Sequence, residues 1–116
     1  MDQRRRSFSQ ANRLNKPADF DRVFASKHRA IAGPFTALAA ANGLGLARLG
    51  LAIPRHRVRT AVARNRIKRM VRESFRTHLQ QLEGIDVVVM LNRNRAEPNA
   101  PALAQIWEKL SACGRS

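Results

Sequence analysis

The sequence is short of acid. Eight Asp and Glu stand against 22 Lys and Arg in 116 residues, a formal net charge of +14, and that imbalance excludes a cation or a basic protein as the partner. Cysteine is nearly absent. Cys113 alone excludes an internal disulfide framework and a thiolate metal site, and a reducing, cytoplasmic setting is expected. No apolar run approaches the roughly 20 residues that span a bilayer. The arginines at positions 4–6 lead into polar residues 7–16 rather than an apolar segment, so no export signal is expected. Histidine is sparse, and His28, His56 and His78 lack ligand spacing. Asp19 and Asp21 diverge on a helix and Asp86 begins an apolar run, so no paired acid and base and no metal cluster can be assembled. No catalytic and no metal-binding residue is assigned. If the chain serves an enzyme, the chemistry lies in something it binds.

What is present is enough to fold. With 44% hydrophobic residues the chain is too apolar for a disordered basic tail and has the size of one domain. Residues 1–16 read as a basic arm, partly ordered at Leu14, 17–112 as the single domain, and 113–116 as a tail. Pro17 suits a first helical turn, and Phe20, Val23 and Phe24 follow at i, i+3 and i+4, predicting a short helix over 17–26. Gly33-Pro34 breaks the chain. Phe35 to Ala41 and Arg48 to Ile53 then read as two strands of an antiparallel hairpin across the turn-like residues 42–45, and His28 to Ala32 as a short edge strand before them. From Val58 to Leu82 neither Pro nor Gly interrupts a helical apolar period, predicting a long helix of roughly 37 Å stopped by Gly84. Ile85 to Leu91 is an almost unbroken apolar run, the pattern of a central strand. After a polar loop, Ala102 to Ala112 closes as a helix packing Leu103, Ile106, Trp107 and Leu110.

The charge is concentrated. Nine of the 22 basic residues lie between Arg55 and Arg76, where Glu73 is the one acid. On a helical wheel Asn65, Lys68, Arg69, Arg72 and Arg76 share a sector, with Ala63, Ile67, Met70, Val71, Ser74 and Phe75 roughly opposite. Arg64 and Arg66 flank that sector near the helix start, where backbone N–H groups and the helix dipole add to phosphate attraction. An ordinary solvated face softens such a stripe with acids at i,i+4. Here only Glu73 does so, so the stripe reads as an electrostatic footprint for a polyanion. Arginine outnumbers lysine 18 to 4, and its planar fork suits phosphates and bases. A membrane-surface helix would leave bulky apolar residues uncovered, whereas this one sits among strands that need its apolar side. A DNA-binding module would show a helix pair joined by a tight turn, and none is present. Phe20 and Phe24 admit two readings, core anchors of the first helix or a stacking platform for unpaired bases; Phe35 shares the ambiguity.

The stretch from Arg64 to Arg76, with Arg-Asn-Arg at 64–66, Lys68-Arg69 and Arg72, resembles the signature of the bacterial ribonuclease P protein family. Upstream, Arg48-Leu49-Gly50-Leu51-Ala52-Ile53 and Ala61-Val62 agree with it, as does Asp86-Val87-Val88-Val89 downstream, so the resemblance spans roughly residues 13–110. It implies an α+β single domain of order αβββαβα, like the second domain of ribosomal protein S5, with a left-handed βαβ crossover. It also implies a protein subunit bound to a catalytic RNA in a ribonucleoprotein endonuclease that removes the 5′ leader of precursor tRNA. Cleavage then belongs to the RNA, with Mg²⁺ held mainly by that RNA and none by the protein alone. Carried over, Arg64, Asn65, Arg66, Lys68, Arg69, Arg72 and Arg76 contact the RNA. Phe20, Phe24, Phe35 and Arg55 line the cleft that takes the leader, and Pro54 and His56 depart from the family pattern at its lip. The alternative is a small ribosomal-type RNA-binding protein without a processing role.

Overall fold

The computed structural model describes residues 10–54, 58, 60–91 and 100–112. Arg55 and His56, the first nine residues of the arm, residues 92–99 where a loop is expected, and Cys113 with the tail lie outside the described residues. Three helices, α1 (Pro17–Phe24), α2 (Ala61–Arg76) and α3 (Ala100–Ser111), surround a sheet of β1 (His28–Ala32), β2 (Phe35–Ala41), β3 (Arg48–Ala52) and β4 (Ile85–Leu91). This is a mixed α+β domain in the expected element order. The strands lie in the order β1-β2-β4-β3, antiparallel except for the parallel β3/β4 pair. α2 joins those two parallel strands.

The expected hairpin of β2 with β3 does not form. β1 and β2 are the hairpin, closed by two residues between Ala32 and Phe35, with Gly33 at φ 55° in the first loop position, where a primed turn wants glycine. β4 enters between β2 and β3 because its residues 85–89 are all buried, and a strand covered on both faces needs neighbours on both edges. Hydrogen bonds that a β2/β3 turn would exchange within itself run through Gly84 instead. Asn42 donates its backbone N–H to the Gly84 carbonyl at 2.9 Å, and Gly84 donates to the Leu46 carbonyl at 3.1 Å.

α2 also ends sooner than its apolar period predicts. The helix spans 16 residues, about 24 Å at 1.5 Å each. Thr60 caps its start, accepting from the Ala63 N–H at 3.1 Å. At the other end the Ser74 carbonyl, which a continuing helix would offer to the N–H of residue 78, is occupied by side chains: Thr77 Oγ1 donates to it at 2.8 Å and His78 Nδ1 lies at 2.7 Å. The His78 N–H turns to Phe75 O instead, at 2.9 Å. This tightening stops the helix. The following turns deliver Leu79 and Leu82 into the core. Gly84 is therefore not the helix stop; at φ 83° it is the left-handed residue that admits β4.

The sheet separates two cores. On one face Ile67, Val71 and Phe75 of α2 and Leu103, Ile106, Trp107 and Leu110 of α3 pack on the odd-numbered residues of β2 and β4, Phe35 among them. On the other face Val23 of α1 and Leu14 pack on Leu38 and Val88, with Phe20, Ala40, Ala52 and Met90 partly buried around them. Arg13 bridges in parallel to Leu49 and Leu14 donates its N–H to the Leu49 carbonyl at 2.9 Å. That segment thereby covers the outer edge of β3.

Candidate nucleic-acid interface

The buried seam of α2 at i, i+4 and i+8 turns its basic residues outward. Asn65, Arg66 and Arg69 are exposed, while Arg64, Lys68, Arg72 and Arg76 are half-buried. A shallow depression of about 360 Å³ is lined by Asn65, Arg69, Arg72, Glu73 and Arg76. All the sequence-assigned members of this face lie on one helix, and five of its residues share one concave surface. Glu73 is taken by Arg76, which donates Nε to Oε1 at 3.1 Å; that hydrogen bond holds the carboxyl below its ordinary value. The Nη1 of Arg64 is buried without a hydrogen-bond partner, a donor whose desolvation is uncompensated.

Burial pushes the Arg72 guanidinium down, and the charge of Arg13 adds to the effect. Arg13 thus stands close to α2, although it comes from the segment before α1. Sequence reasoning left Arg13 off the basic face because no helical wheel contains it.

On the opposite face of the sheet lies an apolar trough. Phe20 and Phe24 stand with ring centroids 6.3 Å apart and planes tilted by 37°. Phe20 rests on Gly50, where a β-carbon would lie 2.7 Å from Cζ of the ring; only glycine admits this approach. Across the strands Ile31, Thr36, Met90 and Ala52 are in register as one row, on the same sheet face as Leu38 and Val88. Ile31 is 52% exposed and Phe24 43%, Met90 and Ala52 are half-buried, and Thr36 is buried between them. Phe35 does not join the row. It has no exposed surface and belongs to the core beneath α2 and α3, because residues 35, 37 and 39 of β2 point away from α1. Ile31, Met90 and Ala52 take the place assigned to it. The alternation in His28–Ala32 was the one available signal for Ile31, and it needed the β1/β2 register to be read.

At the end of the trough face nearest the start of β4, Asp86 is fully buried. Arg48 donates Nε to Oδ1 at 2.8 Å and Nη2 to Oδ2 at 2.7 Å, Asn42 donates Nδ2 to Oδ1 at 2.8 Å, and Arg22 donates to Oδ2. Burial by itself would raise this carboxyl. The hydrogen bonds from Arg48 and Asn42, with the charges of Arg48 and Arg22, outweigh it and hold the group below its ordinary value. Nothing in the sequence near Asp86 announced this cluster.

Fold and charge together define a small α+β domain with a surface shaped for a polyanion. The ribonuclease P family model matches residues 8–113, and the chain belongs to the ribonuclease P protein family. It is 41% identical over 112 residues to the ribonuclease P protein component of Aliivibrio fischeri, covering 93% of this chain and 96% of that one. With the Vibrio cholerae ribonuclease P protein component it shares 38% over 113 residues, covering 94% and 96%. Among solved structures, an RNase P protein mutant from Staphylococcus aureus superposes with a TM-score of 0.69 at 29% identity, covering 91% of this chain and 87% of that one. The RNase P protein from Thermotoga maritima gives 0.64 at 28% identity, covering 90% and 96%.

Proposed function

We propose that this chain acts as the protein subunit of ribonuclease P, removing the 5′ leader of precursor tRNA together with a catalytic RNA. The observation that carries the reading is the pairing of two surfaces: the acid-poor face of α2, and the apolar sheet face on which α1 sets Phe20 and Phe24, with Ile31 and Met90 on the same face. The guanidinium groups on α2 neutralise phosphates of a folded RNA. The trough offers two aromatic rings and an apolar floor, which suit unpaired bases and have no purchase on a stacked duplex. Arg13, bridged to Leu49 of β3, adds its positive charge to that felt at Arg72.

Hydrolysis in this reading is the RNA's. Among the described residues no three acidic, histidine or cysteine side chains gather, and the oxygens of Asp86 are taken by Arg48, Asn42 and Arg22; the reading accordingly leaves Mg²⁺ with the RNA. The protein's part is to neutralise charge and to hold single-stranded RNA. No helix among the described residues is long and apolar enough to cross a membrane, and cytoplasmic residence is part of the proposal.

The test is cleavage of a precursor tRNA by a bacterial ribonuclease P RNA at low Mg²⁺, with and without this protein. Cleavage restored at the mature 5′ end supports the assignment. Nonspecific RNA binding without restored cleavage would leave only a ribosomal-type binding protein.

A further inference from the structure

Among the described residues, Asp86 is the fully buried ionisable group that the proposed function leaves without a task. From β4, its carboxylate is joined to β3 by Arg48, to the loop after β2 by Asn42, and to α1 by Arg22. Arg22 also donates Nη1 to the Ala41 carbonyl at 2.8 Å, and Arg48 Nη2 lies 3.7 Å from Asp19 of α1. Two arginines and two aspartates form a neutral network in a chain of net charge +14.

Beyond these bonds, α1 is held by Val23 and Phe20 in the core on this sheet face and, just past its end, by the Ser26 hydroxyl donating to the Ala39 carbonyl. It is eight residues long, has no side-chain cap at its start, and Val23 is its buried residue. A helix of that length does not persist unsupported. Its position on the sheet is therefore set on its two flanks: by Arg22 on Asp86 and Ala41, and by Phe20 on Gly50. Arg22 and Phe20 lie two residues apart, so any slide or roll of the helix that releases the first displaces the second.

We propose that Asp86 is a positioning residue for the single-stranded RNA trough. Buried and out of reach of RNA, it fixes Arg22, and through Arg22 the seat of Phe20 on Gly50 and the place of Phe24 beside it. The inference rests on the reading of that trough as the leader site.

The experiment uses particles reconstituted with the full chain and compares affinity for a precursor tRNA with affinity for the mature tRNA. Asp86→Asn adds one positive charge, so an electrostatic role alone would tighten both RNAs. Positioning predicts the opposite for one of them. The preference for precursor falls roughly fivefold to tenfold, within the range of one weakened stacking contact, while binding of mature tRNA and of the catalytic RNA does not weaken. Arg22→Gln leaves Asp86 with Arg48 and Asn42, so it keeps the core satisfied and decides the matter if Asp86→Asn shows no cooperative melting. It should reproduce the fall in the precursor-to-mature ratio. An unchanged ratio in the folded variant, or equal losses for both RNAs, would overturn the positioning role. A wild-type particle without any preference for precursor would instead overturn the leader reading, and this inference with it.

Discussion

Trp107 donates its indole N–H to the Ser74 hydroxyl across 2.8 Å, and its ring meets Phe75 edge-on at 5.4 Å. One residue of α3 thus grips two consecutive residues of α2, on the side away from the basic face. Trp107 has no exposed surface, so removing the hydroxyl leaves a buried N–H without its partner. Ser74→Ala should destabilise the protein by about 1–3 kcal/mol, the cost of a buried donor left unpaired. The urea midpoint measures this; a midpoint equal to wild type would mean the bond contributes nothing.

Gly50→Ala tests the seat of Phe20. A methyl group 2.7 Å from the ring forces the phenylalanine to move, with an overpacking cost of about 1–3 kcal/mol. The variant should melt earlier and lose preference for a substrate bearing a leader. Its affinity for the catalytic RNA should be retained, since α2 is untouched. Equal weakening toward every RNA would show that Phe20 is a core residue alone.

Arg69→Ala addresses the basic face directly. Arg69 is exposed and lines the α2 depression. If it neutralises one phosphate, the dependence of log affinity on log salt should flatten by about one unit. The melting temperature should stay close to wild type, because Arg69 has no part in the core. Binding isotherms at several salt concentrations decide it, and an unaltered slope removes Arg69 from the contact surface.

Asp86 gives a pH dependence of definite sign. Its folded carboxyl is held below the ordinary value, so its stabilisation is fully present above the unfolded-state pKa, near 4. That stabilisation is lost as pH falls through the lower, folded value. Wild type should therefore lose stability on acidification below about pH 4 more steeply than Asp86→Asn, with the two lines parallel near neutrality. Thermal midpoints across the acid range would show this, and parallel lines throughout would refute it.

What could be read from the sequence was whatever depends on neighbours close in the chain. The apolar seam of α2, the closing helix with Leu103, Ile106, Trp107 and Leu110, and the uninterrupted run of β4 are local patterns, and each of these elements is present. Strand partners are not local. A turn-like stretch at 42–45 suggested a hairpin, yet whether β2 meets β3 or β4 is settled by which strand most needs burial on both faces. The length of α2 was overestimated because apolar spacing continues past Arg76, while the bonds of Thr77 and His78 to Ser74 O that end the helix leave no periodic mark. Phe35 was misplaced for a related reason: the side of the sheet to which a strand residue points follows from register, and a shift of one residue exchanges the faces. The Asp86 cluster was hidden altogether, since Arg22, Arg48 and Asn42 lie 64, 38 and 44 positions away.

The insertion of β4 between β2 and β3 also imposes an order of assembly. During synthesis, β1 and β2 can close their hairpin at once, but β3 emerges with no partner in the sheet beside it and waits until α2 and then Ile85–Leu91 have followed. Over that interval two strand edges stand open around an empty central slot, and Gly84, which bridges Asn42 to Leu46, has not yet arrived to hold it in shape. Long-range pairing of this kind is slow to form, and an open edge accepts whatever strand is offered. The last strand of a second chain fits that slot as well as the chain's own, so the same topology that buries β4 makes exchange of β4 between molecules the natural misassembly of this fold.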